Sequence, residues 1–239
     1  ALQLRALPGS PHTILRCAIA DGVLRDGDDD GVEATWTAHR RLGLGRLCAV
    51  FDERTRVYKL SVEEDILFSP EWTQPDELRD LLARTLHGAD QVSLRNAGSK
   101  PPAREPFEGL AGMVKRARQS LPPRYAIAAS SDVIDVTLAG TRHQRIAVAR
   151  VGPYVRLSSV VMGASRVADK GLADTLLRVW QRNRAIDVVD FTLDSKRRLV
   201  GEIDALADTL DAAELAFYIE RLATECDRLE YVSIGRDEQ

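Results

Sequence analysis

The stretch TLDAAELAFYIERLATECDRLEYVSIG, residues 209–235, decides the fold. Asp211 stands where a helix N-cap belongs and Glu214 follows three residues later, a capping-box arrangement with Asp in place of Ser or Thr. At about 100° per residue, Leu215, Ile219, Leu222, Cys226 and Leu229 fall within about 40° of one line. The spacing predicts a helix over 212–230 that docks through this stripe, with Cys226 as one apolar member of it. Glu225 and Asp227 project to opposite sides, so the carboxylates near the thiol are expected to flank the stripe rather than converge on sulfur. A thiol on an apolar line is expected to be buried and poorly nucleophilic. Phe217 lies nearly opposite, among Glu220, Arg221, Thr224 and Arg228. A bulky aromatic on the polar face points to a contact with the N-terminal unit, a second copy or a partner.

The elements upstream of that helix read as an antiparallel system. A helix is expected at 107–121, with Phe107, Leu110, Val114, Ala117 and Leu121 on one stripe and Pro122-Pro123 ending it. Strands follow near 125–130, 133–138, 144–150 and 154–161, with Val151-Gly152-Pro153 turning the last pair. A helix at 169–183 aligns Leu172, Leu176 and Val179, with Trp180 on its flank. DVVDFTLD and RLVGEID alternate as a hairpin around DSKR, residues 194–197. Hairpin-length connections imply antiparallel pairing, and the fold class is α+β, an antiparallel sheet flanked by helices.

The first half reads mainly as strands: 12–20, 31–36 (GVEATW), 47–51 and 57–68, with DERTR (52–56) as a hairpin turn. A helix is expected at 75–87 and a short strand at 91–95. NAGSKPPAREP, residues 96–106, has the composition of a linker. The expected organisation is an N-terminal β-rich α+β unit over 1–96, a linker over 97–106, and a C-terminal unit over 107–239.

Local chemistry is sparse. Net charge is -3 and the basic residues are dispersed, which argues against a general nucleic-acid binder. No apolar run approaches the ~20 residues of a membrane span, and the first residues lack the apolar core of a secretory signal. The expected location is cytoplasmic, in keeping with three scattered cysteines, Cys17, Cys48 and Cys226, that form no pair. The four histidines show no metal-ligand spacing, so no metal or cofactor is expected. DGDDDG (26–31) matches the start of a calcium loop, but Thr37 stands where the bidentate glutamate belongs, and an acidic hairpin tip is the expected reading. No phosphate-binding glycine loop and no nucleophile elbow occurs. His143, between Arg142 and Arg145, is the one candidate general base.

The segments TRHQRIAVARVGPYVRLSSVV, LADTLLRVWQRNR, VVDFTLDSKRRLVGEID and LDAAELAFYIERLATECDRLEYV, in that order, resemble the type III secretion chaperone-like fold, and within it the bacterial YbjN-like proteins. The resemblance covers residues 105–237, and the first half is a looser echo that reads as a diverged second copy. It implies no catalysis: a chaperone or regulatory adaptor that holds an extended protein segment. The chain departs from the secretion members by being longer and two-unit, with the two units expected to be related. A tandem within one chain would imitate the dimer of the secretion members, so a monomeric tandem and a homodimer both stand as expectations. Phe217 and Trp180 are the candidate partner-contact residues. The competing reading is an enzyme with a dispersed site in a cleft between the units, around His143.

Overall fold

The computed structural model describes residues 2–6, 12–42, 46–67, 104–105, 107, 109–130, 132–138 and 142–234. It is α+β with antiparallel sheets, and the chain divides into two compact units. The first comprises Ala1–Pro101 with Lys170–Phe191, the second Pro102–Asp169 with Thr192–Gln239. The expected helix at 75–87 and strand at 91–95 lie outside the described residues.

The first unit is built on β1 (Leu2–Ala6), β2 (His12–Arg25), β3 (Arg46–Asp52) and β4 (Val57–Leu67), in the order β1-β2-β4-β3. DERTR forms the β3–β4 turn, closed by the Arg56 N–H donating to the Asp52 carbonyl at 2.8 Å. Between β2 and β3 the expected strand GVEATW is instead part of helix α1 (Asp29–Leu42). Its β-branched and aromatic residues suit a strand by propensity, but Val32, Thr35, Trp36 and His39 recur at helical spacing and all four are buried. Asp28 sets the start: its Oδ1 accepts the Gly31 N–H at 3.0 Å. A Cβ at Gly31 would fall 2.2 Å from the Asp28 carboxylate, so a larger residue there would have to displace the capping side chain. DGDDDG is therefore a turn running into a helix N-terminus.

The expected helix at 169–183 is two: α3 (Ala164–Lys170) and α4 (Leu172–Asn183). Helix α4 packs on β3 and α1. The sequence order had assigned residues 170–191 to the C-terminal unit; the packing of α4 assigns them to the first. A helix joins the sheet whose face its apolar side covers, whatever its place in the chain.

The second unit carries a seven-stranded sheet made by β5 (Arg104–Glu105), β6 (Ala126–Ala129), β7 (Val133–Thr137), β8 (His143–Val151), β9 (Tyr154–Met162), β10 (Asp190–Leu193) and β11 (Leu199–Leu206). The order is β10-β11-β9-β8-β7-β6, with β5 beside β8. Gly152 takes φ 60 at the first central position of the β8–β9 hairpin, the sign that a two-residue primed turn demands. Register aligns Ile134, Ile146, Ser159 and Gly201 in one row across β7, β8, β9 and β11, and Val148, Leu157 and Ile203 in another. This face is covered by α5 (Ala212–Ile234), which lies over β8, β9 and β11, and by α2 (Leu110–Ala117), which packs on α5 and β6. Leu215, Ile219, Leu222 and Cys226 are all fully buried beneath α5. Each such aliphatic side chain contributes about 1.5–3 kcal/mol of burial.

Candidate functional site

The thiol that stood among carboxylates sits in a buried polar cluster. Cys226 lies near Ser159 and the Gly201 backbone, whose polar groups act to lower its thiol pKa. Burial outweighs them and pushes the thiol well above its ordinary range, with Glu225 and Glu230 adding to the rise. Ser159 Oγ donates to Gln144 Oε1 at 2.8 Å, and Gln144 Nε2 donates to Glu230 Oε2 at 3.1 Å. Glu230 is only 2% exposed. The carboxylates were expected to flank the stripe; Glu230, one turn beyond Cys226, instead turns inward beside it. A glutamate that finds an amide partner on the sheet can be buried where a helical wheel alone would leave it at the rim. The arrangement satisfies polar groups under α5, and a neutral thiol there is a poor nucleophile.

The two expected contact residues differ in placement. Trp180 is 1% exposed in the core of the first unit, so its indole is not offered to a partner and it is withdrawn as a contact candidate. Phe217 is half-buried on α5, 5.7 Å from the Tyr218 ring, with the Arg221 guanidinium 5.7 Å above it. The same side of α5 is tied to the segment before β6: Arg124 pairs with Glu220 at 3.0 Å, and the Tyr125 hydroxyl lies 3.0 Å from Thr224 Oγ1. His143 is exposed on β8, its Nδ1 3.2 Å from Thr137 Oγ1. Among the described residues no carboxylate bonds to it in the way a general base is oriented. Among the described residues no three His, Cys, Asp or Glu side chains are grouped to hold a metal ion.

The feature that sequence reading did not single out is the outer edge of the second sheet. β6 is four residues long, carries no charge, and exposes Ala126, Ala128 and Ala129. Its hairpin to β7 is closed by the Ser130 N–H donating to the Val133 carbonyl at 2.9 Å. With Ala129 opposite Ile134 and Ala128 opposite Asp135, alternation sends the N–H and C=O of Ile127 and Ala129 away from β7, to the side on which no described strand pairs. Beside this edge the outward face of β6, β7 and β8 presents Ala128, Asp135 and Arg145 in one row and Ala126, Thr137 and His143 in the next. The pattern AIAA was legible in the sequence, but its edge position follows only from strand order.

In the first unit, Arg16, Glu63 and Arg46 stand side by side across β2, β4 and β3. Arg16 Nε donates to Glu63 Oε1 at 2.6 Å, and Glu63 is fully buried. Cys48, two residues along β3 from Arg46, has its thiol pKa raised well above the ordinary value by burial first and by Glu63 next. Among the described residues no helix is long and apolar enough to cross a membrane. No family model, no curated protein and no solved structure matches this chain.

Proposed function

We propose that this protein is a non-enzymatic protein-binding module, a chaperone or regulatory adaptor of the type III secretion chaperone-like kind, that takes an extended segment of a partner along the edge of its second sheet. The observation that carries this reading is β6, an uncharged edge strand with the N–H groups of Ile127 and Ala129 turned outward beside a face of small exposed side chains. Natural edge strands are commonly blunted by lysine, proline or a bulge. β6 carries no lysine, proline or bulge, and although it is only four residues long with α2 packed on it, its outward amides suit addition of a strand from another chain. Burial of Cys17, Cys48 and Cys226 supports the same reading, since it removes the thiols from nucleophilic work.

Amide hydrogen exchange tests it directly. Partner recovered on the intact protein should protect the Ile127 and Ala129 amides, and Ala129→Pro, which removes an outward N–H without breaking the β7 ladder, should cut recovery about tenfold. Phe217→Asp should weaken recovery only if the segment continues over α5. Unchanged recovery by Ala129→Pro, with no new protection in β6, would remove this edge from the binding surface.

A further inference from the structure

Helix α2 closes the helical layer beside β6, packing on both β6 and α5. Leu110, Val114 and Ala117 form its buried side. The rest of its surface carries Lys115, Arg116 and Arg118, all exposed. Lys115 and Arg118, three residues apart, share one flank, while Arg116 lies across the axis. Nearby cations are neutralised: Arg124 by Glu220 at 3.0 Å, Arg142 by Asp227 at 2.7 Å. Lys115, Arg116 and Arg118 form no ion pair among the described residues. Positive charge in a last helical turn favours the helix through its dipole, but that interaction leaves the ammonium and guanidinium groups exposed and open to a ligand.

In a protein of net charge -3, three uncompensated cations next to an open strand edge are a local reversal of sign. Resting on the reading of β6 as the docking edge, we infer that α2 selects an acidic segment: an extended peptide with carboxylates at alternate positions. The alternation follows from strand geometry. Side chains of an added strand point in turn to the two faces of the sheet. Those on the helical side run beside α2, whose exposed surface is basic, so Glu or Asp there meets positive charge from the flank of Lys115 and Arg118 or from Arg116. Those on the other side lie beside Ala126 and Ala128, which ask only for a side chain that packs flat. The outward N–H groups of Ile127 and Ala129 favour a peptide over a nucleic acid as the anion, because they pair with a strand backbone.

The probes are short fluorescent peptides in which valine alternates with glutamate, threonine or lysine, plus a single-stranded thymidine oligonucleotide as a non-peptide polyanion. Binding to the full chain is read by anisotropy. The glutamate peptide should bind about tenfold tighter than the threonine peptide at low salt, ~1.4 kcal/mol, with the advantage shrinking as salt rises. The triple variant Lys115→Glu, Arg116→Glu, Arg118→Glu should abolish that advantage and leave the threonine peptide unaffected. Ala129→Pro should weaken both, and circular dichroism should show each variant folded. Equal binding of glutamate and threonine peptides, both lost in Ala129→Pro, overturns the charge selection and leaves the edge reading standing. Binding of no peptide overturns both. Oligonucleotide binding as tight as the glutamate peptide, insensitive to Ala129→Pro, overturns the inference in favour of a nucleic acid. So does sedimentation showing a dimer that Ala129→Pro dissociates, since a second copy would then own the edge.

Discussion

Asn183 and Phe191 exchange two hydrogen bonds: Asn183 Oδ1 accepts the Phe191 N–H at 2.9 Å, and Asn183 Nδ2 donates to the Phe191 carbonyl at 2.9 Å. The side-chain amide pairs with Phe191 as a neighbouring strand would. The same Nδ2 also reaches the Leu47 carbonyl at 3.1 Å and Asp190 Oδ1 at 2.8 Å, so its two hydrogens serve three acceptors. One fully buried residue at the end of α4 thereby joins β3 to the start of β10 within the first unit.

Asn183→Leu keeps the branching of the side chain but removes its polar atoms, and strands the Phe191 N–H with two carbonyls. Each buried group left unmet costs about 1–3 kcal/mol, so urea unfolding should show a loss of about 3 kcal/mol or more. A loss under about 1 kcal/mol would mean that water or a shifted backbone replaces the amide.

Glu63 is bound by Arg16 at 2.6 Å and faces Arg46 in the β3 register, with its side chain fully buried. Glu63→Ala leaves the Arg16 guanidinium without its buried carboxylate, beside Arg46 on the next strand, a change that costs about 3–5 kcal/mol when a buried pair loses one partner. The unfolding midpoint in urea should fall accordingly, with an unchanged slope.

Asp194 pins the turn between β10 and β11. Its Oδ1 accepts the Lys196 and Arg198 N–H groups, each at 2.9 Å, and its Oδ2 accepts from Arg198 Nε at 2.8 Å. Burial pushes its carboxyl up, but the Arg198 backbone and guanidinium and the Lys196 backbone together outweigh burial and hold it below the usual range. A depressed carboxyl stabilises the fold above its unfolded value, about 3.9, and that contribution is lost as pH falls through the folded value. Asp194→Asn should therefore cost about 1 kcal/mol at neutral pH for a pair partly open to solvent. Its thermal midpoint should also decline less steeply than the wild type's between about pH 5 and pH 3; parallel declines would place the acid sensitivity elsewhere.

Cys17, Cys48 and Cys226 are all buried. A thiol reagent should label none of them rapidly in the native state and all three in denaturant. Fast native labelling of Cys226 would show that α5 lifts from the sheet row of Ser159 and Gly201 far more readily than its buried stripe implies.

What the sequence by itself determined were the elements whose pattern is local. The stripe Leu215, Ile219, Leu222, Cys226 and Leu229 announced α5 and its buried side, the first four being fully buried and Leu229 half-buried. Asp211 caps the helix as its spacing implied, accepting the Ala213 and Glu214 N–H groups at 2.8 Å. The alternation in β8 and β9 and the glycine of their turn carried the hairpin. These signals repeat within a few residues, at the period of the element itself.

Only the tertiary structure decided the rest, because it depends on partners far along the chain. GVEATW could satisfy strand propensity until the Asp28 cap and the burial of Val32, Thr35, Trp36 and His39 made it α1. Residues 170–191 follow the second unit's strands in sequence yet belong to the first unit, since α4 covers β3 and Asn183 bonds Leu47. Glu230 looked like a rim charge until Gln144, 86 residues away, supplied its hydrogen bond. Periodicity tells a segment which side is apolar; which surface that side meets, and which polar groups go in with it, is set where distant segments find each other's unmet donors and acceptors.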